Sequence, residues 1–155
     1  MSEPTLFDKI MDGTIPSYQI WENDRYLAFL TPFANTRGYT VVIPKINPGD
    51  NFMNVDDMAY TDLLLAARQV ARALKKAFDV QRVGLVIEGE GVPHLHVKLI
   101  PMHAQQDQAG AHANHIEFYD AYPGYLTTIE GPKMSDDQLK VVQQKIQAAA
   151  AEGQA

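Results

Sequence analysis

Between His94 and Pro101 the chain reads His-Leu-His-Val-Lys-Leu-Ile-Pro, an alternation of polar and apolar residues that demands a two-faced strand. In an extended segment successive side chains point to opposite sides. His94, His96 and Lys98 therefore share one face, and Leu95, Val97 and Leu99 share the other. The apolar side must be covered by a core. Its reverse then carries two imidazoles and an ammonium that packing alone does not call for. An imidazole near neutral pH can serve as nucleophile, acid, base or ligand. The bland alternative is a half-exposed edge strand whose polar side is merely wet.

Other features narrow the choice. At 155 residues the chain reads as one folded unit, long enough to bury a core without staples. It has no cysteine, which excludes disulfides, thiolate nucleophiles and cysteine-based metal sites. That composition fits a reducing compartment. A formal charge of −6 argues against general binding of nucleic-acid backbone, which needs a basic footprint. A local pocket for one anionic small molecule is still allowed. Met1-Ser2-Glu3-Pro4 lacks the basic start and apolar core of a secretory signal. No apolar run reaches membrane-spanning length. The expectation is a soluble, cytoplasmic protein with no membrane contact.

Thr5 is placed to cap a short helix through Leu6, Phe7, Ile10 and Met11, stopped by Gly13 and Pro16. Tyr18–Glu22 and Tyr26–Leu30 form a predicted hairpin around Asn23-Asp24. Tyr39–Ile43 is a third strand ending at Pro44. From Asp56 to Phe78, residues Leu63, Leu64, Ala67, Val70, Ala71, Leu74 and Phe78 recur at helical spacing. Asn54 or Asp56 would cap that helix. Arg82–Glu88 is a fourth strand, and the short link Gly89–Pro93 pairs it antiparallel with the His94 strand. Residues 104–114 read as a loop and His115–Tyr119 as a short extra strand. Ser135 and Gln138 form a capping box for a last helix presenting Leu139, Val142 and Ile146, expected to fray beyond Gln147. The order implies an α+β fold, a mostly antiparallel sheet of about five strands with one long helix. Residues 1–103 form the main domain, and 104–155 an extension that packs on it or on a partner subunit.

Several segments, in order, resemble the histidine triad (HIT) family. Phe7-Asp8-Lys9-Ile10 with Gly13 and Ile15-Pro16 resembles its opening helix and turn. Trp21–Asp24 and Leu27–Leu30 resemble its hairpin, and Gly38–Lys45 its Gly-His-Thr-Leu-Val-Ile-Pro-Lys segment. His94-Leu95-His96-Val97-Lys98 stands where the family has His-x-His-x-His. The resemblance runs from Leu6 to Pro101. It implies a small antiparallel sheet paired into a homodimer, a nucleotide or nucleotide-conjugate ligand, and hydrolysis or transfer at the α-phosphate. His96 is then the nucleophile, oriented through its other ring nitrogen by the backbone carbonyl of His94, with His94 supporting the site and Lys98 clamping phosphate. Nucleotide-binding positions carry over to Phe7, Ile10, Phe29, Leu30, Thr31 and Pro32, although Phe7, Ile10 and Phe29 read equally as core. The reading calls for no cofactor.

The departures from the family pattern are local. Lys98 replaces the third histidine, Tyr39 another histidine, Thr31 the aspartate that holds the ribose, and Ile87 an asparagine. A lysine neutralises phosphate as a point cation but donates protons poorly near neutral pH. The loop before the histidines is shortened to residues 88–93, which brings Glu88 and Glu90 close to His94. Two carboxylates there would repel a polyanion; alternatively Glu88 replaces a lost acid or pairs with Lys98, while Glu90 reads as a solvated face. A binding module that has lost efficient catalysis is the second reading. The third is a metal site from His94, His96 and one of His103, His112 or His115. Lys98 on the same face argues against a cation there, and lysine is an uncommon ligand. The cluster Phe118, Tyr119, Tyr122, Pro123 and Tyr125 is too aromatic for a free tail and is expected to dock on the sheet or a partner.

Overall fold

The computed structural model describes residues 3–103 and 133–151. The predicted loop at 104–114, the strand His115–Tyr119 and the aromatic cluster Phe118–Tyr125 lie outside the described residues. Among the described residues three helices and five strands follow in chain order: α1 (Leu6–Met11), β1 (Tyr18–Glu22), β2 (Tyr26–Leu30), β3 (Thr40–Pro44), α2 (Asp57–Phe78), β4 (Val83–Val86), β5 (Val97–Pro101) and α3 (Asp136–Ala151). The strands form one sheet in the order β1-β2-β3-β5-β4, every pair antiparallel. This is the α+β architecture the sequence implies.

Local chemistry accounts for the elements. The Thr5 hydroxyl accepts from the Asp8 amide while the Asp8 carboxylate accepts from the Thr5 amide, a reciprocal cap that starts α1. At the β1–β2 turn Asn23 Oδ1 accepts from the amides of both Arg25 and Tyr26. Asp56 caps α2 by accepting from the Ala59 amide at 2.9 Å. Helix α2 ends where Asp79 turns left-handed at φ 51°. Its buried stripe of Leu63, Ala66, Ala67, Val70, Leu74, Ala77 and Phe78 lies over one face of the sheet. Leu139, Val142, Ile146 and Ala149 of α3 join the same core. The Ser135–Gln138 capping box is formed, and α3 stays helical to Ala151 instead of fraying beyond Gln147. Burial of Ala149 and two side-chain hydrogen bonds, from Gln143 and Gln147 to the Gln19 carbonyl, hold that end. The opposite face of the sheet carries a smaller cluster of Phe7, Ile10, Leu27, Phe29, Tyr39, Val41 and Ile43, roofed by α1.

Two strands are shorter than their patterns suggest. β5 begins at Val97, three residues after His94, because the Leu95 amide donates to the Gly49 carbonyl at 2.6 Å instead of to a neighbouring strand. β4 spans Val83–Val86 only, and its last registered pair is Val86 with Lys98. No helix among the described residues is long and apolar enough to cross a membrane.

Candidate active site

The approach to β5 keeps the alternation of a strand although it precedes the strand proper. Leu95, Val97 and Leu99 are fully buried in the core beneath α2. His94 and His96 point the other way and are also almost sealed, at 0% and 3% exposure. Each ring is held by a backbone carbonyl, which can only accept. His94 Nε2–H donates to the Pro44 carbonyl at 2.8 Å, and His96 Nδ1–H donates to the His94 carbonyl at 2.8 Å. Neutral His96 therefore carries its lone pair on Nε2. Phe7 from α1 meets both rings in a T-shaped arrangement, at centroid distances of 5.6 Å and 5.3 Å.

Burial pushes both imidazoles below the ordinary histidine value, outweighing the carbonyl hydrogen bonds that favour protonation. The buried Nδ1 of His94 has no hydrogen-bond partner. Asp8 Oδ1 lies 3.9 Å from it, beyond hydrogen-bond range, while Asp8 Oδ2 is taken by the Thr5 amide and hydroxyl.

Lys98, next on this face, forms an ion pair with Glu88. The sheet register explains the encounter. Val86 is paired with Lys98, so Glu88 lies two residues further on and on the same side. Of the two roles open to Glu88, the structure forms the pair with Lys98.

In front of His96 and Lys98 opens a cavity of about 670 Å³, in the size range of small-molecule sites. Phe7 and Ile10 of α1 form one wall, with Phe29, Leu30, Thr31 and Pro32 at the end of β2 forming another. Phe7, Ile10 and Phe29 are at once buried core and cavity lining. Two expected site residues are absent from the lining. His94 sits behind His96, and Glu88 is set back against Lys98.

The cavity also takes residues outside the expected set. Tyr39 and Val41 come from β3 and its approach, and the register Val41 with Lys98 makes the latter readable from strand pairing. Glu90, solvent-exposed as expected, stands at the cavity margin with Val92. Lys133, Asp136 and Leu139 reach it from the start of α3, which the Met134 amide ties to the Pro32 carbonyl at 2.9 Å. Only long-range packing could have revealed these three.

Among the described residues no group of three histidine or acidic side chains is arranged to hold a metal ion. His103, one candidate third ligand, is engaged elsewhere: its Nε2–H donates to the Arg37 carbonyl and its ring stands edge-on to Phe78. His112 and His115 lie outside the described residues.

Comparison with known proteins agrees with this architecture. Residues 12–105 match the HIT domain model. The chain is 31% identical over 115 residues to the protein Hit of Bacillus subtilis, covering 71% of this chain and 79% of that one. It is 31% identical over 97 residues to adenosine 5'-monophosphoramidase HNT1 of Saccharomyces cerevisiae, covering 62% and 61% of the two. The solved structure of a Hit-like protein from Bartonella henselae superposes with a TM-score of 0.68 at 25% identity, over 96% of this chain and 98% of that one. With its five-stranded antiparallel sheet and the match over residues 12–105, the chain belongs to the HIT domain family.

Proposed function

We propose that the chain binds a nucleotide or nucleotide conjugate in the cavity over His96 and cleaves or transfers at its α-phosphate, with His96 as covalent nucleophile. The observation that carries this reading is the fixed tautomer. With Nδ1–H committed to the His94 carbonyl, neutral His96 has its lone pair on Nε2, on a ring that lines the cavity. In the first step Nε2 attacks the α-phosphorus, a P–N bond forms, and the bond to the leaving group breaks. The leaving group departs with the electron pair and takes a proton from solvent. Water, or another acceptor, then displaces the imidazole, releases the nucleoside monophosphate group and restores neutral His96.

His94 acts as a positioning residue, anchored to Pro44 and presenting the carbonyl that orients His96. Lys98 balances phosphate charge, and Phe7, Ile10, Phe29 and Leu30 offer an apolar seat for a base, with Thr31 and Pro32 toward the sugar. Membership of the HIT family supports a nucleotide ligand. The name of the yeast relative makes an adenosine phosphoramidate the natural first substrate to try. We divide the chain at residue 103 and read it as a cytoplasmic homodimer. Among the described residues β4 lies at the sheet edge with Leu85 44% exposed, a side onto which a second copy can add.

Incubation with adenosine 5'-phosphoramidate or a dinucleoside polyphosphate, followed by intact mass spectrometry near neutral pH, tests the chemistry. An added adenylyl mass on wild type and none on His96→Ala is the expected result. No adduct and no turnover, with wild type and His96→Ala indistinguishable, would remove the catalytic reading.

The Glu88–Lys98 pair favours a second reading, a nucleotide-binding module with little turnover, because it leaves the third position of the row as a mutually neutralised pair. Calorimetry that detects nucleotide binding without product would select this second reading. Absence of binding would exclude both.

A further inference from the structure

A second cavity lies on the far side of the sheet from His96, where α2, the C-terminal part of α3 and β1 meet. It measures about 520 Å³, again within the range of small-molecule sites. Its origin is readable in the sequence. Residues 65, 68, 69, 72, 73 and 76 form one stripe of α2, beside the stripe that enters the core. Where α2 passes α3 the lining comes from Ala73 on one helix and Ala149 and Ala150 on the other, side chains too small to fill the space.

The wall of this groove is cationic. Arg68, Arg72 and Lys76 follow one another at four-residue intervals, with no aspartate or glutamate among the described residues of the lining. Like charges at that spacing repel and weaken a helix. At 1.5 Å per residue they span about 12 Å along the axis. Among the described residues neither Arg68 nor Arg72 has an ion-pair or hydrogen-bond partner. By contrast, Arg25 pairs with Asp62 and Arg37 stacks on Phe78. The concentration of positive charge also runs against a chain with 13 basic and 19 acidic residues. Trp21 of β1, half-buried, also lines the groove, an aromatic side chain of the kind that packs against a planar ring.

We infer that this groove is a second ligand site, for a small molecule carrying two or more phosphate charges and distinct from any substrate held over His96. Two guanidinium forks, from Arg68 and Arg72, are the donors that recognise phosphate oxygens. The volume suits a compound of nucleotide size, and the line of charges suits a chain of phosphates better than a single one. This inference does not depend on the chemistry proposed for His96, because no described residue of the groove lines the His96 cavity.

Trp21 is the chain's single tryptophan, so its emission reports on the groove directly. The experiment is a fluorescence titration of the full chain with inorganic tripolyphosphate, repeated with ATP. A saturable emission change that weakens with added salt is expected. In Arg68→Gln/Arg72→Gln the affinity should fall by roughly a hundredfold, because each substitution removes one charge-assisted hydrogen bond to phosphate, while turnover at His96 is unchanged. Both substituted side chains are exposed, and a circular dichroism melt checks that the variant folds like wild type. Tighter binding of ATP than of tripolyphosphate would identify a nucleotide, and equal affinities an inorganic phosphate chain. No saturable change at millimolar tripolyphosphate, or the same curve in the double variant, overturns the proposal. A glutamate-rich peptide that shifts the emission where tripolyphosphate does not would also overturn it, in favour of a protein partner.

Discussion

His96 donates its Nδ1 proton to the backbone carbonyl of His94, 2.8 Å away, and that hydrogen bond decides which nitrogen of a buried ring is basic. A carbonyl two residues back in the chain moves only if the backbone moves, so the ring is held by the fold. If His96 is the nucleophile, His96→Ala should lower kcat/KM for a phosphoramidate or dinucleoside polyphosphate by about a thousandfold or more. Nucleotide binding should change little, because the cavity walls stay in place. Steady-state kinetics beside calorimetry on the same variant separates the two effects. A His96→Ala protein with undiminished turnover would place the chemistry elsewhere.

Both imidazoles are held by burial below the ordinary histidine value of 6.5. In the unfolded chain they titrate near that value, so below it the unfolded state binds more protons than the folded one. Stability contributed by the neutral rings is thus complete above pH 6.5 and is lost as pH falls toward the depressed folded values. Thermal melts between about pH 7.5 and 5 should show Tm falling on the acid side. His96→Gln should flatten that slope. The carboxylates Asp8 and Asp12, held low mainly by hydrogen bonds from Thr5 and Thr14, act in a separate window below their ordinary 3.8. A Tm constant through the histidine range would contradict the burial argument.

Which parts of this arrangement were legible beforehand follows from the range of the interactions. The Thr5–Asp8 cap, the Asn23 turn and the α2 stripe are local; the cap and turn formed where the residues indicated, and the stripe formed with Leu63, Ala67, Val70, Leu74 and Phe78, while Leu64 and Ala71 stay half-buried and Ala66 and Ala77 are buried in addition. The common face of His94, His96 and Lys98 depends on alternation alone and survives even though β5 starts only at Val97. That late start was not readable, because it depends on Leu95 bonding to Gly49 across the fold. The role of α3 was half readable. Its amphipathic pattern identified Leu139 as a buried position. The cavity beside it depends on the tie from Met134 to Pro32, which periodicity does not encode.

Gly38 shows how tightly the loop before β3 is fitted. Its φ is +87°, and a Cβ built on it would collide with the edge of the Phe78 ring, with Cζ at 2.8 Å, and press on Pro101 Cγ at 3.1 Å. Phe78 is itself pinned by the edge of His103 and by Arg37 above its face, so it cannot easily withdraw. Gly38→Ala should therefore cost upwards of about 2 kcal/mol, backbone strain and clash together. Chemical denaturation would measure it. The next residue, Tyr39, lines the His96 cavity, so nucleotide affinity should fall in the same variant. A variant as stable as wild type would mean that the loop relaxes without cost.

The Glu88–Lys98 pair sets two opposing demands on one ammonium. Paired, Lys98 is partly neutralised before any ligand arrives. A phosphate entering the cavity must share it with the carboxylate or displace Glu88, and the carboxylate itself repels the anion. Glu88→Gln removes the repulsion and leaves a neutral hydrogen-bond acceptor in place. It should lower KM for an anionic substrate several-fold with little change in kcat, an effect that shrinks as salt is added. Lys98→Ala should do the reverse and raise KM. Lys98→His instead installs a group that donates protons near neutral pH. If leaving-group protonation limits turnover, this variant should raise kcat rather than restore KM. Kinetics on the three variants at two salt concentrations tests the argument. An unchanged KM in both Glu88→Gln and Lys98→Ala would show that neither charge is felt by the ligand, leaving the pair with a purely structural part between β4 and β5.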